Sequence, residues 1–259
     1  MTKEREEMLA FAKNDDERKL LCRLYDIAQG ARQHHSVKST QFLNGHELLL
    51  AQRALSKCCS VCFSAYGGYD EAERRVISFS PDGDDFDYGI CIIKASINKE
   101  VSLSHRDWLG SLLSLGIRRE KIGDIIPMEG GAYIVCCSDI GEYIMSNLES
   151  VANTPVHLLM CDDNEIITPE KRYKEIRSTV PSLRLDCILS AGINLSRSDS
   201  ASLIKSGRVS VNWEVIESPS HIVREKQIIS VKGIGRLELF EIRNETKKGR
   251  TAVTIKRFL

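Results

Sequence analysis

No stretch of the 259-residue chain approaches the 18 or more consecutive apolar residues that a membrane-spanning helix needs. The opening MTKEREEMLAF mixes acids with bases and has no apolar segment before a small-residue cleavage site, so a secretory signal is not expected there. Net charge is also absent: 36 Lys and Arg balance 36 Asp and Glu. Nor is there a second CxxC to complete the one in Cys58-Cys59-Ser60-Val61-Cys62, and a zinc site usually needs two such pairs or a matching His pair. His34, His35 and His46 could join it only through long-range folding, so neither metal nor cofactor is expected. The nine cysteines sit mostly in apolar stretches such as Ile90-Cys91-Ile92, where they act as small hydrophobes rather than as a disulfide scaffold. What is present is 42% hydrophobic and 28% charged residues, enough for two or three packed cores in a globular, cytoplasmic protein.

The neutral total hides an asymmetry. Residues 181–259 carry 14 Lys and Arg against eight Asp and Glu, a net of +6, and residues 1–180 carry the compensating −6. A basic end on an acidic body suits a polyanion partner, although an uneven surface composition would look the same.

Residues 1–66 have helical periodicity, with Asn14-Asp15-Asp16 as a cap and Asn44-Gly45-His46-Glu47 resembling a capping box before an amphipathic helix over 48–61. From residue 88 the pattern predicts a strand (88–96), a helix (104–115), two strands (122–128, 132–137) joined through Glu129-Gly130-Gly131, a helix (140–151) and a strand (156–161). This βαββαβ order is shared by ferredoxin-like and RNA-recognition folds, but the strands carry Ile, Val and Cys where stacking rings would sit. Residues 162–180 read as a polar connector.

His105-Arg106-Asp107 invites a kinase reading that fails, because position 112 is Leu where a magnesium-binding Asn is required and no glycine-rich loop precedes it. Ser104 is expected instead to cap the helix, with Asp107 in its first turn. The cluster Arg118-Arg119-Glu120-Lys121 either complements that helix's dipole or contacts phosphate, and Arg118 and Arg119 are kept as RNA-binding candidates. Near the C-terminus two short helices are expected, over about 183–190 and 197–205, with Gly207 as a stop and Val209 and Val211 opening a strand. Ser196 would cap the second helix and turn its free N–H groups, with Arg197, toward an anion. Arg184, Lys205 and Arg208 add bases near the same helix pair.

Arg184-Leu185-Asp186, Ser196-Arg197-Ser198 and Gly207-Arg208-Val209-Ser210-Val211-Asn212, in this order, resemble the small RNA-binding domain named after ribosomal protein S-four, over about residues 183–242. The chain departs from that pattern at Trp213, where Gly usually follows Val-Asn, and at Glu225-Lys226-Gln227, where a Gly-Asp turn is common. The segment from His105 to Leu112, then Leu115-Gly116-Ile117-Arg118-Arg119-Glu120-Lys121-Ile122-Gly123-Asp124-Ile125 and Gly233-Ile234-Gly235-Arg236, is similar to the YlmH family over nearly the whole chain.

That resemblance implies an α+β protein of three parts: a helical N-terminal domain (1–75), an RRM-like (βαββαβ) middle domain (76–165) and an S-four-type (αL) RNA-binding domain with a basic strand extension (181–259). It implies a monomeric, non-enzymatic factor on the large ribosomal subunit, touching rRNA and tRNA, in translation or ribosome-associated quality control. Arg184, Ser196, Arg197, Ser198, Lys205, Arg208, Asn212, Lys232 and Arg236 would then meet RNA. An alternative is a pseudouridine-synthase-like enzyme using this domain for docking, since Arg184-Leu185-Asp186 matches the triplet around such an enzyme's catalytic Asp; only 73 residues follow it, too few for a catalytic domain. A third reading makes the middle domain a protein-interaction platform.

Overall fold

The structure, a computed structural model, describes residues 2–98, 101–166, 173–245 and 249–258. The chain divides into two compact units, residues 1–169 and 170–259.

The first unit begins with helices α1 (Lys3–Leu9) and α2 (Asp15–His34), the short strand β1 (Lys38–Ser39) and α3 (Gly45–Cys58). The expected caps are in place. Asn14 accepts the Glu17 N–H, and Asn44 and Glu47 form a full capping box. Strands β2 (Cys62–Tyr66) and β3 (Val76–Ser80) follow, and the three strands make a small sheet in the order β1-β3-β2. The segment is therefore helical only in part, and Val76–Ser80 completes the N-terminal sheet instead of opening the middle domain. The two-residue β1 is too short to show a period-2 pattern, and Val76–Ser80 is buried along its whole length and so does not alternate.

Next come β4 (Ile90–Ser96), α4 (His105–Ser114), β5 (Ile122–Met128), β6 (Gly131–Cys137), α5 (Ser138–Asn147), the small hairpin β7 (Ser150–Val151) and β8 (Thr154–Pro155), and β9 (His157–Cys161). The larger sheet has the order β5-β6-β4-β9, a split-βαβ arrangement. Ser104 and Asp107 close a capping box on α4. The helix expected over 140–151 stops at Asn147, because Ala152 and Asn153 both take left-handed backbone (φ 48° and 67°) and fold 150–155 into a hairpin.

Alternation along β4 and β6 sends Ile93, Ala95, Ile134 and Cys136 to the face covered by Trp108 and Leu112 of α4 and Ile144 of α5. The opposite face is covered as well. Ile92, Tyr133, Val135 and Cys137 pack with Phe42 and Val76 of the N-terminal part. The seam is also hydrogen-bonded: the Phe42 N–H donates to Glu120 O (2.9 Å), the Tyr69 hydroxyl to Asp124 Oδ2 (2.9 Å), and Arg74 Nε to Ile122 O (3.0 Å). The Phe42 ring lies where a side chain at Gly123 would have to go; a Cβ there would meet it at 2.6 Å. The face that RNA-recognition folds leave open is thus an interior surface of this unit.

The second unit opens with β10 (Tyr173–Val180), paired along its length with β15 (Thr251–Phe258). The polar segment expected to be a connector is in this part a strand; its residues 167–172, and 246–248 of the basic extension, lie outside the described residues. Between these strands come α6 (Leu185–Ile193), α7 (Arg197–Lys205), β11 (Val209–Val211), β12 (Glu214–Val215), β13 (Ile228–Val231) and β14 (Gly235–Glu245). The sheet runs β10-β15-β14-β13-β11-β12, and Ile188, Leu189 and Ile204 from the helices share one core with Val209, Val231, Leu239 and Ile255.

Candidate nucleic-acid interface

Asp186, in the first turn of α6, organises the first cluster of cations. It is only 3% exposed, and it accepts hydrogen bonds from Arg184 Nε (3.1 Å) and Nη2 (3.0 Å) and from Arg197 Nε (3.1 Å). Burial pushes its carboxyl up, but the bonds from the two guanidinium groups outweigh that and pull it down to about 2. Both arginines stay partly exposed, and Arg197 spends only Nε on this bond, so each carries N–H donors beyond the carboxylate. Ser196 caps α7 by accepting the Asp199 N–H (3.1 Å), and its Oγ lies 2.8 Å from that of Ser198. Arg184, Ser196, Arg197 and Ser198 are therefore brought together at the start of α7.

A second cluster lies at the other end of that helix. Lys205 is its last residue, about 12 Å from Arg197 at ~1.5 Å of rise per residue. Arg208 is linked to Lys232 in both directions: Arg208 Nη2 donates to Lys232 O (2.8 Å), and the Lys232 N–H donates to Arg208 O (2.9 Å). Arg208, Lys232 and Arg236 line a groove of about 430 Å³ floored by Ser210 and Ser230. Two groups of exposed cations, one helix length apart, can meet different phosphates of one RNA.

Two of the residues read as RNA contacts are engaged elsewhere. Arg119 lies in the first unit and donates from Nη1 to Ile122 O (2.5 Å) and Gly123 O (3.2 Å); burial, then the charge of Arg74, lowers it to about 10. Arg118 beside it is exposed and ion-paired with Glu120 at 3.6 Å. Asn212 accepts the Ile228 N–H through Oδ1 (2.9 Å), which fixes the β11–β12 turn to β13. In each case the residue type was legible, whereas its backbone partner came from a distant or folded-back segment. Asp186 was the residue sequence reasoning missed as an organiser; the Arg-x-Asp spacing was its only signal.

The β11–β12 turn also explains the departure at Trp213. Val211 pairs with Glu214, so Asn212 and Trp213 alone make the turn, with φ of 47° and 66°. That is the left-handed pair of a tight hairpin, where glycine is favoured at the second position. Trp213→Gly is expected to raise the stability of this unit by about 0.5–1 kcal/mol, relief of left-handed strain exceeding the entropy that glycine adds to the unfolded chain. A urea midpoint that falls instead would show that the partly exposed ring contributes more packing than the backbone loses.

Three segments of the chain match known family patterns. Residues 16–83 match the family pattern described as YlmH, N-terminal; residues 81–165 match the putative RNA-binding domain in YlmH; and residues 183–229 match the S4 domain. Ribosome-associated protein quality control protein P2 of Bacillus subtilis (strain 168) is 32% identical over 247 residues, 93% of this chain and 95% of that protein. The chain belongs to the YlmH family. Among solved structures, cell division protein ylmH from Streptococcus pneumoniae aligns with a TM-score of 0.51 at 19% identity, covering 60% of this chain and 97% of its own, a likeness of fold alone. This member of the YlmH family is accordingly a mixed α+β homologue of a ribosome-associated quality control protein, and it carries RNA-binding domains.

Proposed function

We propose that this protein is a non-catalytic, cytoplasmic RNA-binding factor that associates as a monomer with the large ribosomal subunit, contacting rRNA and peptidyl-tRNA in ribosome-associated quality control. Its three parts would be the N-terminal region, the split-βαβ middle region and the C-terminal RNA-binding module. The observation that carries the reading is the pair of cation clusters at the two ends of α7, one of them oriented by a buried carboxylate. Arg184, Arg197, Lys205, Arg208, Lys232 and Arg236 would meet phosphates, with Ser196 and Ser198 adding hydrogen bonds to backbone oxygens; Arg118 would be a separate contact on the first unit. The enzyme alternative rests on Asp186, and a buried carboxylate already bonded to two arginines is a poor nucleophile.

The test is sedimentation of the tagged protein in lysate through a sucrose gradient, for wild type and for Lys205→Glu with Lys232→Glu. These exposed side chains can be reversed without disturbing Asp186. Wild type should comigrate with free large subunits at low salt and leave them at high salt. The double variant should bind at least about tenfold more weakly, and its salt dependence should be shallower by roughly 0.7–0.9 for each phosphate it no longer neutralises. Comigration of the variant equal to wild type would sink the proposal.

A further inference from the structure

The C-terminal sheet has a second face, and helices α6 and α7 do not cover it. Ile176, Val180, Leu237, Leu239, Val253 and Ile255 point to the core under the helices. By alternation Tyr173 and Lys256 stand on the other side of β10 and β15. Phe240, which follows the core residue Leu239, stands on that side as well, at a bulge where Leu239 pairs with Ile255 and Glu241 with Thr254.

Four side chains then converge on this face. Lys226 Nζ lies 3.3 Å from the Phe240 ring centre and Lys256 Nζ 3.4 Å from it, and Lys256 is also 4.3 Å from the Tyr173 ring. Lys226 is delivered by a strained turn, its backbone left-handed (φ 64°) and its N–H donating to Leu239 O (2.7 Å). Two ammonium groups on one ring repel each other, and an incoming phosphate relieves that repulsion by drawing one away. The neighbouring acids Glu175 and Glu241 are engaged by Arg177 (2.7 Å) and Arg243 (2.8 Å), while Glu238, the ladder partner of Lys256, adds one carboxylate to this face.

We infer that this face is a second RNA-binding surface, one that takes a short single-stranded segment: bases stack on Tyr173 and Phe240 while Lys226 and Lys256 hold the flanking phosphates. Rings interleaved with ammonium groups on the sheet face turned away from α6 and α7 match the two parts of a single-stranded nucleic acid, the flat base and the charged backbone. A duplex fits poorly, because its bases are already stacked on each other. The surface lies opposite the helix pair, and of its strands β10 precedes and β14 and β15 follow the matched domain, residues 183–229. The inference therefore stands apart from the helix-side contacts proposed above.

The experiment is fluorescence anisotropy with the full chain and a labelled ten-nucleotide single-stranded RNA, its duplex form, and a poly-glutamate peptide as competitor. Wild type should bind the single strand more tightly than the duplex. Tyr173→Ala with Phe240→Leu should weaken single-strand binding about tenfold or more, and Tyr173→Phe should retain it. Tyr173→Ala alone, an exposed substitution, covers the case in which the Phe240 variant unfolds. Undetectable single-strand binding by wild type, equal affinity for Tyr173→Ala, or full displacement by poly-glutamate at matched charge would overturn the inference.

Discussion

Asp186→Ala should destabilise the C-terminal unit by about 3 kcal/mol, the low end of the roughly 3–5 kcal/mol lost when one partner of a buried ion pair is removed. The lower part of that range is appropriate because Arg184 and Arg197 are partly exposed and can be rehydrated. The carboxylate bridges the start of α6 to the start of α7, so the substitution also releases both arginines from fixed positions. RNA affinity should therefore fall even in conditions where the unit stays folded. The pH dependence has a definite sign. Asp186 titrates near 2 in the folded chain, below the ordinary carboxylate value of about 4. Its contribution is fully present above pH ~4 and is lost as pH falls through about 2, a loss of roughly 2 kcal/mol. Urea melts from pH 7 down to pH 2 check this: the Asp186→Ala profile should be flatter than wild type below pH 4. Parallel profiles would show that the carboxylate is not what the two arginines hold.

Gly131→Ala should abolish folding of the first unit. A Cβ at this position would lie 1.9 Å from the carbonyl oxygen of Ala95, an atom of the neighbouring strand's backbone, and φ is 157°. Gly131 pairs with Ser96 at the start of the central β4–β6 ladder, so relieving the clash means opening the ladder that both layers of this unit pack upon. The cost should exceed about 3 kcal/mol, in the range reserved for severe core defects. Gly110→Ala is the control. It sits within α4 with open space around the added carbon, and helix propensity alone should make it neutral or slightly stabilising. Soluble yield and circular dichroism of the two variants decide the matter; a folded Gly131→Ala would mean that β4 and β6 can separate at that end.

Local chemistry made some of this structure legible. Asn44 and Ser104 announced their helices because a cap and its partner are three residues apart, within reach of any reading of the sequence. Strands β5 and β6 were visible because a glycine turn joins two apolar runs. Strand β10 was not, since its partner β15 begins some seventy residues later and only that pairing turns Tyr173–Val180 from a polar stretch into an edge of a sheet. The candidate interface divides the same way. The bases around α7 follow from their motif, yet the sequence does not say that Arg119 and Asn212 are held by backbone groups or that a buried carboxylate aims Arg184 and Arg197. Nor does it show Lys226 and Lys256 meeting over Phe240, because a left-handed turn and the long-range pairing of β14 with β15 bring them there.

The contact between Phe42 and Gly123 has a consequence for how the protein can diversify. The ring fills the volume that any larger residue at 123 would need, and the two positions belong to parts of the chain that match separate patterns of the one family. A lineage that enlarges residue 123 has to shrink residue 42 in the same step or pass through a poorly folded ancestor. The N-terminal and middle parts are therefore bound to a shared inheritance, and exchanging one of them for a foreign module would leave an aromatic ring with no hole to enter.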